Sequence, residues 1–108
     1  MPSDPLSLSP AEADARARSG ALTLIDVRPQ AERALAAVTV PFSHLEGGGL
    51  ERLLALPTGR PLAFLCHHGV RSMQAAQYFL AQGFTEVYNV SGGIEAWACE
   101  VDRAIPRY

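Results

Sequence analysis

At 108 residues the chain has room for one domain and one core, burying roughly two-thirds of the surface its unfolded form exposes. Nine basic against eleven acidic residues, a formal charge of −2, supply no general field for nucleic acid or anionic lipid; neither is an expected partner, and any anion site must be built locally. The two cysteines, Cys66 and Cys99, form no C-x-x-C pair, and the N-terminal MPSDPLSLSP lacks the basic and apolar regions of a leader, so a reduced, cytoplasmic protein without disulfides or a membrane span is expected.

In chain order, residues 1–8 carry Pro2 and Pro5, which oppose helix, and are expected to form a flexible segment ahead of a single domain over residues 9–108. Ser9, Pro10 and Glu12 make a capping-box helix start, and Ser19-Gly20 ends that helix after Arg18. Residues 22–27, LTLIDV, are nearly continuous in apolar side chains, as in a parallel strand covered on both faces. Asp26 and Arg28 stand at its carboxyl end, where ligands bind in open α/β sheets. They are candidate substrate-binding residues, against the alternatives of a surface ion pair or an Asp26 bond to loop amides. Residues 30–35 form a short helix, with Glu32 available to pair with Arg28. A brief β-branched strand is expected at residues 38–40, stopped by Pro41. His44 stands alone in the turn-rich FSHLEGGG and is left out of the site. One or two helical turns follow at residues 50–56, and Thr58-Gly59-Arg60-Pro61 turns the chain into the next strand. That strand, LAFL, ends at Cys66. Residues 71–82 place Met73, Ala76 and Leu80 on one helical face, and Gly83 caps the helix. A last strand at residues 86–90 turns through Ser91-Gly92-Gly93 into a helix whose Ile94, Trp97 and Val101 share a face, with Trp97 a core anchor. Cys99, beside Trp97 and Ala98, reads as a buried structural residue, and residues 102–108 as a tail.

The chemistry concentrates at Cys66. Amides of a loop opening into a helix point inward unpaired, and the helix dipole adds partial positive charge there, so anions collect. A thiol so placed, with Arg71 five residues on, ionises more readily than a free cysteine. The expectation is a thiolate nucleophile; the alternative is a cysteine that merely ends a buried strand. His67 and His68 suggest cationic help in holding an anionic donor below neutral pH. A metal site built from Cys66, His67 and His68 is disfavoured, because adjacent residues on a tight loop rarely converge on one ion. No Walker loop or G-x-G-x-x-G is present, and neither metal nor cofactor is expected.

Three motifs, Asp26-Val27-Arg28, Cys66-His67-His68-Gly69-Val70-Arg71-Ser72 and Gly92-Gly93-Ile94-Glu95-Ala96-Trp97, are similar in order and spacing to those of single-domain rhodaneses, a family of sulfurtransferases, across roughly residues 8–105. The resemblance implies a three-layer α/β domain, a mostly parallel sheet of about five strands with helices on both faces. It implies transfer of a sulfane sulfur from thiosulfate or a persulfide to a thiol or cyanide through a Cys66 persulfide, with a protein persulfide carrier as a further kind of partner. His67, His68, Gly69, Val70, Arg71 and Ser72, with Asp26 and Arg28, are the implied substrate-binding set. Two positions depart from the family pattern. Ala36-Ala37-Val38 stands where a Gly-His-Ile triplet is usual, and His67 follows the cysteine where active thiosulfate users often carry arginine. Rival readings are a cysteine-dependent phosphatase or arsenate reductase, and a non-catalytic interaction module. Phosphatases on this fold use a C-x5-R loop, one residue longer than the C-x4-R from Cys66 to Arg71.

Overall fold

The computed structural model describes residues 4–108. Its layers follow from apolar alternation. In β3 (Leu62–Leu65) every residue is buried, Leu62 and Phe64 toward one face and Ala63 and Leu65 toward the other, as a strand central to a covered sheet requires. It lies between β2 (Thr23–Asp26) and β4 (Val87–Val90), and β4 pairs in turn with β1 (Leu6–Leu8); the order is β1-β4-β3-β2 and all pairings are parallel.

On one face, α1 (Pro10–Ser19) packs against α5 (Gly93–Glu100), and Ala13, Ala17, Ile94 and Trp97 meet Leu24, Ala63, Leu65 and Val90 of the sheet. Ser9 caps α1 by accepting from the Glu12 amide at 3.2 Å, and Gly20 ends it at φ 79°. On the other face, α3 (Gly49–Leu54) and α4 (Val70–Ala81) supply Leu53, Ala76 and Phe79 against Ile25, Leu62, Phe64 and Val87. The rings of Phe64 and Phe79 lie 5.1 Å apart. The short α2 (Gln30–Leu35) contributes no buried side chain and lies near the carboxyl end of β2.

Several expectations need correction. The described residues contain four strands rather than about five. Residues 38–40 form no strand, although Val38 and Val40 are buried. Ser43 makes a single bridge to β2 instead, donating to Leu24 O and accepting from the Asp26 amide, both at 2.8 Å. Residues two apart face the same neighbouring strand, so the next partner back would be Pro41, which has no N–H to donate. Leu6–Leu8, expected within a flexible segment, is an edge strand on β4 with Leu8 buried; residues 1–3 of that segment lie outside the described residues. The expected tail is packed as well: Ile105 joins the α1/α5 core, and Tyr108 returns to the cysteine loop. Cys99 is exposed, not buried, because the turn of α5 that directs Trp97 and Ala98 inward directs the next residue out. No helix among the described residues is long and apolar enough to cross a membrane.

Candidate active site

Cys66 follows β3 at the carboxyl end of the sheet, and residues 66–69 turn into α4 at Gly69, which adopts φ +105°. That backbone region favours glycine, and it turns the Gly69 amide back onto the sulfur, donating to Sγ at 3.0 Å. Ser72 Oγ lies 3.1 Å from Sγ on its other side. Cys66 is only 1% exposed, and burial pushes its thiol up. Hydrogen bonds from the Ser72 side chain and from the backbone N–H groups of Ser72, Gly69 and His68 outweigh that, and the thiol ends below its ordinary value. The cysteine therefore ends a buried strand and also faces a ring of donors.

Ser72 is itself held. Its hydroxyl lies 2.6 Å from Asn89 Oδ1, and Asn89 Nδ2 donates to Gly69 O at 3.0 Å. Because a carbonyl only accepts, the Gly69 contact sets which end of the Asn89 amide faces the serine. Ser72 has one proton to give, to Asn89 or to Sγ. With a protonated thiol, Cys66 donates to Ser72 and Ser72 to Asn89; with a thiolate, the serine proton turns to sulfur. Asn89 was missed by sequence reading, since an asparagine inside a strand motif carries no signal of a contact 20 residues away in sequence.

The third motif clamps the loop from behind. The Ile94 amide donates to Cys66 O at 2.8 Å and the Glu95 amide to His67 O at 3.2 Å, so the first turn of α5 satisfies the first two carbonyls of the cysteine loop. A Cβ on Gly93 would stand 2.4 Å from Cys66 O and 2.5 Å from His67 O, at φ +61°. Only glycine permits that approach.

Asp26 and Arg28 do not face the loop as ligands for a donor. They are 1% exposed and bind each other: Arg28 Nη2 donates to Asp26 Oδ2 at 2.7 Å and Nε to Oδ1 at 3.0 Å. The remaining donors of Arg28 reach Ala36 O at 2.8 Å, Tyr108 Oη at 3.2 Å and Glu32 O at 3.4 Å. The pair thus ties the end of β2 to the turn after α2 and to residue 108, and Ala36, at the position of the family's usual glycine triplet, packs fully buried beneath it.

Nor does the Glu32 carboxylate pair with Arg28. It takes the Arg71 guanidinium in a two-pronged contact at 2.8 and 2.9 Å, because the first turn of α4 brings Arg71 across to α2. Arg71 holds Glu32 down to about 2, against the upward push of burial and with help from Tyr108. Beside them runs an aromatic stack in which the His67 ring lies 4.0 Å from His68 and 3.9 Å from Tyr108. His68 and Val70 are exposed on the outer side of the loop. No group of three or more metal-ligating side chains assembles among the described residues.

Comparison with known proteins places this geometry. The profile of the rhodanese-like domain matches residues 9–100. Thiosulfate sulfurtransferase GlpE of Pseudomonas savastanoi pv. phaseolicola is 36% identical over 92 residues, covering 83% of this chain and 84% of that protein. A stretch of 38 residues is 55% identical to GlpE of Vibrio cholerae and spans only 35% of this chain and 36% of that relative. Among solved structures, the polysulfide-sulfur transferase homodimer of Wolinella succinogenes superposes with a TM-score of 0.73 at 30% identity, over 97% of this chain and 79% of that one. The human single-domain sulfurtransferase TSTD1 shares the fold at a TM-score of 0.72 and 24% identity, over 87% and 96%. By its matched profile, its relatives and its cysteine loop seated at the carboxyl end of a parallel sheet, the chain belongs to the rhodanese family.

Proposed function

We propose that the protein is a sulfurtransferase that carries a sulfane sulfur on Cys66 between a small donor and a thiol or cyanide acceptor. The observation that carries this reading is the sulfur at the focus of the loop, with the Gly69 amide at 3.0 Å and the Ser72 hydroxyl at 3.1 Å, its thiol held below the ordinary value despite burial. A thiolate stabilised by aimed donors is the reactive form, and the same donors favour the negative charge of a persulfide.

In the first half-reaction the Cys66 thiolate attacks the outer sulfur of the donor. A new S–S bond forms at Sγ, the donor's own bond to that sulfur breaks, and its electron pair leaves with the sulfite, sulfinate or thiolate group. In the second, an acceptor thiolate or cyanide attacks the outer sulfur and the Cys66 thiolate is restored. No oxidant is needed, and two separable half-reactions give ping-pong kinetics. Gly69 and Ser72 contact the sulfur directly, and Asn89 positions Ser72. His67, His68, Val70 and Arg71 form the entrance that a donor crosses, while Asp26 and Arg28 position the loop's surroundings from beneath. The relatives named as thiosulfate sulfurtransferases support the reaction class.

Intact mass spectrometry after incubation with thiosulfate or glutathione persulfide tests the proposal. One added sulfur mapped to Cys66, lost on adding cyanide and absent in Cys66→Ser, is expected. An unmodified Cys66 with every donor, while the protein stays folded, would overturn it.

A further inference from the structure

Arg71 is the fixed cation that the sulfur-transfer reading brings to the loop entrance, and it is already engaged. Its guanidinium meets both oxygens of Glu32, and the Tyr108 hydroxyl adds a third bond to Glu32 Oε1 at 2.9 Å. Chain proximity does not explain this arrangement, since 39 residues separate Glu32 from Arg71 and 76 separate it from Tyr108. Tyr108 is anchored in turn by Arg28 Nη1 at 3.2 Å and by stacking on His67 at an interplanar angle of 14°. Glu32 is thus oriented from two sides, by a guanidinium fork and by a tyrosine tied to the buried core.

The electrostatic consequence falls on the donor. A free Arg71 would offer an approaching anion one uncompensated positive charge; with Glu32 attached the entrance is formally neutral, and attraction falls to the loop amides. Glu32 also opposes each negative charge on the donor separately, so its penalty for a dianion is twice, in free energy, that for a monoanion of the same shape. We propose that Glu32, braced by Tyr108, is a specificity-determining residue that biases the entrance against dianionic sulfur donors and toward singly charged ones. The proposal rests on the sulfur-transfer reading and adds the charge class of the donor.

Thiosulfate and methanethiosulfonate make the needed comparison. Each gives one sulfane sulfur to the Cys66 thiolate and releases the remainder with the bonding pair, as sulfite or as methanesulfinate, and they differ by one unit of charge. For a screened charge near the surface, removing Glu32 raises monoanion use about threefold and dianion use about tenfold, the square of the first factor. Any effect of Glu32 on the nucleophile is common to both donors and cancels in their ratio.

The experiment measures kcat/KM for both donors at low ionic strength, with cyanide as acceptor, in wild type, Glu32→Gln and Glu32→Asp. Glu32→Gln is expected to shift the ratio about threefold toward thiosulfate, with added salt reducing the shift. Glu32→Asp, which keeps the charge, is expected to keep the wild-type ratio. Equal changes with both donors, a fall common to both, or an Asp variant behaving like the Gln variant would overturn the assignment. Intact mass distinguishes the two levels. Sulfur gained on Cys66 with an unmoved ratio removes only the role given to Glu32, whereas no sulfur gained from either donor removes the sulfurtransferase reading and this proposal with it.

Discussion

Asp26→Asn tests the buried pair beneath the site. The substitution keeps size and shape but removes the negative charge from the one side-chain carboxylate that, among the described residues, contacts Arg28, whose side chain is 0% exposed. An arginine cannot shed its proton to escape, and the bonds to Asp26 and Tyr108 keep it charged against the downward pull of burial. Breaking one partner of a buried pair costs about 3–5 kcal/mol, because the other charge stays behind in a poorly solvating interior. A domain of this size holds about 5–15 kcal/mol in total, and each kcal/mol moves Tm by about 4–8 °C, so a fall of at least about 12 °C is expected. Circular dichroism melts and urea titrations of the two proteins measure it. The double replacement Asp26→Leu with Arg28→Met removes both charges together and is expected to recover only part of that loss, since no charge is left unpaired but Ala36 O and the buried Arg28 amide lose their partners. A loss below about 1 kcal/mol in Asp26→Asn, the range of an exposed pair, would refute the argument.

Three further outcomes follow from the site. Ser72→Ala, which deletes the side-chain donor 3.1 Å from Sγ, moves the thiol titration to higher pH and slows persulfide formation at neutral pH about tenfold, as loss of one bond to a charged group implies; ultraviolet titration of the thiolate in a Cys99→Ser background reads the shift, and an unmoved curve counts against the serine's role. Gly93→Ala drives a methyl into Cys66 O and His67 O at positive φ, so denaturation shows a loss of about 2 kcal/mol or more; a neutral substitution would mean that α5 does not clamp the loop. Glu32 has its folded-state value depressed from 4.5 to about 2, so the stability it adds is present above pH 4.5 and disappears as pH falls toward 2; the Tm gap between wild type and Glu32→Gln closes over that window, and a gap that persists at its acid end assigns the stabilisation to something other than the carboxylate's charge.

Much of this protein was determined by local sequence. Ser9 and Gly20 bound α1 because capping and left-handed turns are decided by a few neighbouring residues. The apolar run of β3 was legible as a strand; that all four of its residues are buried follows from its place between β4 and β2, with helices over both faces. Cys66, Gly69 and Ser72 were legible as a unit because one turn of chain brings them together around the sulfur. What only the tertiary structure decided is which charges and rings meet across the sheet's end. Asp26 and Arg28 turned inward onto each other, Glu32 took Arg71 instead of Arg28, Asn89 came to hold Ser72, and Tyr108 returned from an apparent tail to stack on His67. Those contacts join residues 17 to 41 positions apart, or depend on which way a short turn faces. Sequence periodicity reports how a side chain is disposed about its own helix or strand, whereas partners across elements are chosen by the packing of parallel strands and by the need of every buried charge for a counterion.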